Sequence, residues 1–521
     1  MTLVAHRHPI QLLSEVSVSS CMRTSGRNLV RKISMMSSHT IAATTSTMFK
    51  YQPPVNRDMH ELDRSFFVTK VPMVVVHFPD PKNISLFTSK FKQEVLNIPR
   101  ISRVVRLETS DAQNPEPPLK KSNPANDNHI RKGVLLRESV TQVDQVPLQL
   151  PAEAQQFLKD NLAIAQPYEC VLDYSFWKTE EIFRAILPEQ FLDEIPSGFT
   201  ATGHIAHINL RNEFKPYGNL IGQVILDKNS KIETVVDKVD SIATKFRTFH
   251  MQVLAGKNDL VVEQRESNCK FKFDFSKVYW NSRLHTEHDR LIQKFKPGQC
   301  VGDVFAGVGP FAVPAGKKKV MVLANDLNPE SYKYMLENIA ENKTDSFVQP
   351  SNLDGRDFIR ESPRLLAEWR QKTEARIVIP GGRRYKDSKT GETKRTEPQS
   401  VQIPQFYHHY VMNLPDSALT FLDEFVGLYS RYPETLEQLK KLPDFQAPWI
   451  HCHCFEKYDA EESPEPSMQE LHRRVHDRIK TITKTNDTVL PFENLQFHLV
   501  RKVAPTKPMF CVSFQLPDEL I

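Results

Sequence analysis

Residues 303–311 read Asp-Val-Phe-Ala-Gly-Val-Gly-Pro-Phe. An apolar run meets a carboxylate, passes through a glycine-rich turn and opens into a helical pattern. Gly307 and Gly309 carry no Cβ, so a ligand can approach the main chain there in backbone geometries that other residues resist. Such a turn forms the floor of a nucleotide-type cofactor pocket in an α/β fold with a doubly wound sheet. The form Gly-x-Gly-x-x-Ala over 307–312 suits a dinucleotide as well as S-adenosylmethionine, so the turn alone leaves the cofactor open.

The flanking rhythm agrees with that fold. Apolar runs at 301–305 and 320–324 predict parallel strands, Pro329–Asn342 a helix, and 410–412 and Trp449–Phe455 later strands. Leu471–Ile482 predicts a helix, and Leu495–Val503 with Met509–Gln515 a closing hairpin. Upstream, His204 to Trp280 reads as mostly strand, including the run 221–226, and 173–187 reads as helix. Residues 66–68 and 73–78 are strand candidates in a small N-terminal module.

The 521-residue chain has room for several domains. No apolar run approaches the ~18 residues of a membrane span, and mean hydropathy is −0.44, so no membrane is expected as a partner. Seven scattered cysteines argue against a disulfide framework. Of 68 basic and 63 acidic residues, six and one lie in residues 1–50, which leaves the remainder balanced at 62 of each. The leader is also rich in Ser and Thr, the composition of a mitochondrial transit peptide or of a disordered tail. Met35, Met36 and Met48 offer starts for a leaderless form. The expected divisions are a leader over 1–50, an N-terminal module over 51–165 with a linker at 108–130, a middle α+β domain over 166–273 and a cofactor domain over 274–521. A charged insertion at 381–400 is expected to be a mobile surface loop.

Two features favour S-adenosylmethionine over a dinucleotide. Asp303 stands where a carboxylate meets an amino-acid ammonium and would repel a pyrophosphate. Asn413-Leu414-Pro415 follows an apolar strand and is similar to the Asn-Pro-Pro-Tyr type of motif with which many N-methyltransferases hold a planar nitrogen. Asp326 then suits the ribose diol, and Asp354-Gly355 the adenine amino group. The candidate cofactor-binding residues are His288, Asp303, Phe305, Gly307, Gly309, Asp326, Leu327, Asp354, Gly355 and Asn413. His451-Cys452-His453-Cys454 puts both histidines on one face of a strand and lacks a second ligand pair with zinc spacing, so a core strand and no metal are expected. Lys317-Lys318-Lys319 reads as a solvated turn.

The segment Lys277–His288, with Asp-Val-Phe-Ala-Gly-Val-Gly-Pro-Phe, Asn-Asp-Leu-Asn-Pro (325–329) and Asn-Leu-Pro, resembles the eukaryotic and archaeal tRNA (guanine-N1)-methyltransferases that modify guanosine 37, in their fungal form. The resemblance covers roughly residues 51–521 and excludes the leader and the 381–400 insertion. It implies a Rossmann-like class I S-adenosylmethionine-dependent domain behind an α+β domain and a small tRNA-recognition module. It further implies a monomer that reads the anticodon loop and the overall L-shape of tRNA. Glu287 matches the family's general base, Arg247 the arginine that stabilises guanine O6, and Asn413 the residue that orients the base. Tyr279 and Arg283 would shape the guanine site. The product is the first step toward wybutosine in phenylalanine tRNA, made in the mitochondrial matrix, cytoplasm and nucleus. A nicotinamide-dependent oxidoreductase and a noncatalytic RNA-binding protein are the competing classes.

Overall fold

The computed structural model describes residues 51–107, 131–239 and 250–521 apart from 383, 387, 389, 390 and 396, together with 246 and 248. The expected leader, the 108–130 linker and Arg247 lie outside the described residues. Among the described residues no helix is long and apolar enough to cross a membrane.

The N-terminal sheet is antiparallel, in the order β2 (Val104–Leu107), β3 (Arg131–Leu135), β1 (Thr69–His77), β4 (Ile164–Leu172). Helices α1 (Lys82–Lys90), α2 (Val146–Gln149) and α3 (Ala152–Asp160) accompany it, and Val74, Val76, Phe87, Val134 and Leu158 form its core. β4 pairs with β1 along its whole length, so this sheet runs on to Leu172, past residue 165. Of the strand expected at 66–68, Arg64–Phe66 is instead a single 3-10 turn, started by Asp63 accepting from the Ser65 N–H.

Helix α4 spans Thr179–Ile186, shorter than expected. The next sheet orders β5 (Thr200–Thr202), β6 (Ile205–Ile208), β7 (Thr234–Lys238) and β8 (Met251–Gly256). Here the sequence reading needs correction, because residues 221–226 are not a strand. They lie in helix α5, Gly218–Lys228. A short apolar run cannot tell a buried helix from a buried strand. The topology decides: β6 and β7 are parallel, and parallel neighbours need a crossover, which α5 supplies. Gly222 lets α5 sit against β8, since a Cβ there would come within 2.7 Å of Leu254 Cβ.

Hairpin β9 (Val261–Glu266) and β10 (Cys269–Asp274) leads into helix α6 (His285–Lys294). The large sheet follows. Its strands are β11 (Cys300–Asp303), β12 (Met321–Asn325), β13 (Val348–Ser351), β18 (His409–Met412), β19 (Trp449–Phe455), β20 (Gln496–Ala504) and β21 (Lys507–Gln515), in the order β13-β12-β11-β18-β19-β21-β20. The first five are mutually parallel, and β21 runs antiparallel between β19 and β20. Alternation along the strands feeds two cores. Met321, Leu323, Tyr410, Met412, Ile450 and Val512 pack with helices α9 (Gly355–Lys372) and α11 (Met468–Thr483). Val301, Val322, Ala324, Val411 and Cys511 pack with α6, α7 (Ala312–Lys317), α8 (Pro329–Glu341) and the inner face of the β9–β10 hairpin. That hairpin, on the near side of residue 273, thus shares a core with the large sheet.

Side chains of α8 satisfy the backbone of β10: Asn338 Oδ1 accepts from Lys272 N at 2.7 Å and Asn342 Oδ1 from Lys270 N at 3.0 Å. The 381–400 insertion carries regular structure. β14 (Arg376–Ile379) pairs with β17 (Gln399–Gln402), and β15 (Arg384–Lys386) with β16 (Thr393–Arg395). α10 spans Pro433–Lys440. Nor is the lysine triplet simply solvated: Lys318 Nζ donates to the carbonyls of Ile292 at 2.7 Å and Phe295 at 3.1 Å, closing the end of α6.

Candidate active site

Ligands of open α/β sheets bind outside the carboxyl ends of the strands, and the sequence candidates gather there. β11 ends at Asp303. Its loop is pinned to both neighbours, with Val304 N donating to Val411 O at 3.0 Å and Ala306 N to Asn325 O at 2.7 Å. Gly307 (φ +56°) has no atom within 4 Å of where a Cβ would stand, so its outer side is open. Gly309 (φ +95°) passes so close to Val313 that a Cβ would meet it at 2.8 Å.

Asp326, just after β12, reaches back to this loop. Its carboxylate accepts from Gly307 N at 2.8 Å and from Asn328 N at 2.9 Å. Desolvation nevertheless pushes its pKa up against those two bonds. Asn325, absent from the sequence candidates, braces two segments, the loop after β11 and the end of β13. Its Nδ2 donates to Val304 O and Leu353 O, and its Oδ1 accepts from Leu353 N and Ser351 Oγ. A lone amide at the end of an apolar strand was the available signal. Leu327 sits half-buried beside it, its carbonyl taken by Asn352. Asp354 caps α9 by accepting from Arg356 N at 2.9 Å. Gly355 admits the Phe305 ring, since a Cβ would come within 2.8 Å of it, and Phe305 in turn meets Phe421 edge-on at 5.0 Å.

Both Asp303 carboxylate oxygens and Asn413 Oδ1 are buried on this edge without a hydrogen-bond partner among the described residues. Burial, then the nearby Asp326, push the Asp303 carboxyl up to about 8 against the opposing pull of His453. A buried unpaired acceptor costs about 1–3 kcal/mol. Two oxygens of one carboxyl left open beside a glycine loop form a socket for a cationic donor. A ligand with an ammonium group fits this set; a pyrophosphate does not.

Glu287 and His288 stand on the first turn of α6 and are buried. His288 Nδ1 engages Glu266 Oε1, and its ring lies edge-on to Phe311 at 4.8 Å. Glu287 joins α6 to the sheet. Arg290 Nε donates to Oε2 at 2.6 Å and Nη2 to Oε1 at 2.7 Å, while His453 Nε2 lies 2.8 Å from Oε1. Burial opposes ionisation here, but Arg290 and His453 outweigh it and hold the carboxyl well below the usual range. Burial likewise opposes charge on His453, and Cys511 and Glu287 together lift it to about 10. The expected core strand at 449–455 is present and buried, yet one of its histidines holds the candidate base. Arg290 was legible as an i+3 partner of Glu287, whereas His453 was not. Glu287, His453 and Cys511 offer atoms within 4.8 Å of one another, the kind of set a metal uses, with the Arg290 guanidinium already on the carboxylate.

Phe311, at the end of the glycine loop, bridges the two groups, its ring 4.8 Å from that of His288 and 6.2 Å from that of His453. Tyr279 is 41% exposed. Arg283 Nη2 donates to Thr200 Oγ1 at 3.0 Å, which ties the segment before α6 to the β5–β8 sheet.

Comparison with known proteins gives the family to which the chain belongs. Residues 179–259 match the family described as TYW2 N-terminal domain, and residues 262–374 match the TRM5/TYW2 methyltransferase domain. The chain is 56% identical over 483 residues to the tRNA (guanine(37)-N(1))-methyltransferase of Saccharomyces cerevisiae, covering 91% of this chain and 95% of that protein. It is 51% identical over 477 residues to the protein of the same name from Candida albicans, covering 91% and 99%. For the Schizosaccharomyces pombe protein the figures are 45% over 463 residues, covering 89% and 95%. Identity of this degree over nearly the whole of both chains places the protein in the tRNA (guanine(37)-N(1))-methyltransferase family.

Proposed function

We infer that this chain methylates N1 of guanosine 37 in tRNA, with S-adenosylmethionine as donor. The observation that carries the reading is the 56% identity over 91% of the chain to a tRNA (guanine(37)-N(1))-methyltransferase. The open carboxylate of Asp303 at the glycine loop supports it, because the ammonium of an amino-acid cofactor answers that socket. When bound, S-adenosylmethionine supplies a methyl group on an electrophilic sulfonium carbon.

The residues divide the work as follows. Asp303 takes the ammonium, Asp326 the ribose hydroxyls, and Asp354 with Gly355 the adenine edge. Phe305, Leu327 and His288 line the pocket, and Gly307 and Gly309 let the ligand lie on the backbone. Asn413 orients the target base. Guanine N1 is a poor nucleophile while protonated, so Glu287 acts as the base and Arg247 stabilises charge at O6. Tyr279 and Arg283 shape the site of the extruded guanine, whose place in a single-stranded loop lowers the cost of flipping.

In this reading the large sheet is a Rossmann-like class I methyltransferase domain, and the N-terminal sheet recognises the L-shape of tRNA. The protein acts as a monomer on cytoplasmic and mitochondrial tRNAs and starts wybutosine synthesis in phenylalanine tRNA. Residues 1–50 direct part of it to the mitochondrial matrix, the rest serving cytoplasm and nucleus. The test is incubation of undermodified tRNA with methyl-labelled S-adenosylmethionine, followed by nucleoside analysis. Label is expected in 1-methylguanosine at position 37, and label elsewhere overturns the reading. A reporter fused to residues 1–47 is expected to enter mitochondria; failure to do so removes the targeting claim.

A further inference from the structure

A carboxylate offers about four lone-pair sites. On Glu287, Arg290 fills one on each oxygen and His453 fills a second on Oε1. The remaining site is on Oε2, and the half-exposed His498 stands 3.5 Å from that oxygen. An ionised carboxylate only accepts, so His453 Nε2 must carry the hydrogen in this contact. The histidine is completely buried, on a strand paired on both sides with β18 and β21, so its ring has a rigid seat. Its Nδ1 is buried without a hydrogen-bond partner among the described residues, and Cys511 stands directly opposite it on β21.

We propose that His453 is the positioning residue for Glu287, turning the carboxylate so that Oε2 takes the N1 proton of the target guanine. This rests on the reading of Glu287 as the base. In that step the guanine N1–H bond breaks, an Oε2–H bond forms, and the N–H electron pair stays on N1. Arg290 alone holds the carboxylate from the helix side, through the short span of one helical turn. His453 adds a fixed point from the sheet side, which stops the carboxylate from rotating about Cγ–Cδ. The charged and titratable groups around the pair are Arg290 and Lys294 on α6, His451 on β19, His498 on β20, Cys511 on β21 and Asp303 on β11. With Arg290 already matching the charge of Glu287, the cluster is an ion-pair network that calls for no metal.

The experiment is single-turnover methylation of undermodified tRNA by the full chain between about pH 5.5 and pH 8.5, with S-adenosylmethionine affinity measured by calorimetry. His453→Leu is expected to lose about 30-fold or more in rate at an affinity within about twofold of wild type. His453→Gln, which can donate the same hydrogen bond without charge, is expected to recover most of that loss near pH 8. The His453→Gln rate should then keep a near-constant ratio to wild type across this pH range, because the hydrogen bond and not the charge sets the carboxylate's orientation. A His453→Leu rate within twofold of wild type overturns the proposal, as does a His453→Gln variant that recovers none of the loss. Should His453→Leu fail to bind S-adenosylmethionine, the rate of His453→Gln against a non-donating His453→Met variant decides alone. If wild type places no methyl on guanine N1, or Glu287→Gln methylates at the wild-type rate, the underlying functional reading fails instead.

Discussion

Asp303 and Glu287 are both removed from solvent on the same side of one sheet, and the molecule treats them in opposite ways. Asp303 closes β11 with both oxygens open, and burial beside Asp326 keeps its proton on up to about pH 8. Glu287, on α6, is bonded by a guanidinium and an imidazole and stays ionised far into acid. Burial penalises both charges, so burial cannot explain the difference; partners do. A buried carboxyl without a partner among the described residues suits a charge brought from outside, whereas a matched carboxylate already has its charge and needs only orientation. In the proposed function, the contrast separates binding from chemistry.

Glu287→Gln breaks the contrast on the chemical side and should have the largest effect. Loss of a general base typically costs 10²–10⁴-fold, so methylation should fall by about that factor while the Kd for S-adenosylmethionine stays within about twofold. An equal loss in Kd would mean that the two carboxyls share one role. Asp303→Asn should do the reverse. Removing one partner of a buried charge pair costs several kcal/mol, so calorimetry should show cofactor affinity reduced by about 10²-fold.

The pH response sharpens the same contrast. Below about 8 the Asp303 carboxyl holds its proton, and a cationic ligand must displace it. Affinity should therefore fall by up to about tenfold per pH unit below that point and level off above it, and Asp303→Asn should abolish the slope. The sign for stability follows from the raised pKa. The ligand-free fold binds a proton that the unfolded chain has released, so this group's contribution is fully present below pH 3.8 and is lost as pH rises through about 8. Denaturant unfolding of the ligand-free protein against pH checks it, with Asp303→Asn expected to flatten the curve. The smallest expected effect is that of Lys318→Met. It removes two hydrogen bonds from the end of α6, for a loss of about 1 kcal/mol in stability. Because α6 carries both Glu287 and His288, the methylation rate and the cofactor affinity should both respond, each by a small factor.

The crevice was legible because its signals are local. Gly307, Gly309 and Asp303 lie within one strand-turn-helix pattern, and Asp326 and Asn413 each follow an apolar strand. The clamp on Glu287 was not legible. His453 lies 166 residues away, and nothing in Trp449–Phe455 distinguishes a histidine that fills a core from one that meets a carboxylate. Asn325 was hidden for the same reason, since its bonds run to the loop after β11 and the end of β13, 21 to 28 residues away. The misreading of 221–226 as strand has another cause. α5 packs on β7 and β8, and within the six residues read as strand only Gln223 interrupts the apolar run; the helical period shows only when the polar Asn219 and Asp227, four residues to either side of it, are counted too.

The insertion of β21 between β19 and β20 has a consequence for the order in which the parts come into being. Chains emerge from the ribosome N-terminus first. Asp303, Asp326, Asp354 and Asn413 are all synthesised before His453, and β20 has no place in the sheet until β21 has followed it. In the proposed assignment, a nascent chain thus contains all four of these cofactor residues while Glu287, made earlier still, has only Arg290 of its two partners. On that assignment, the residues for the methyl donor are complete in the chain before the clamp on the proposed base is.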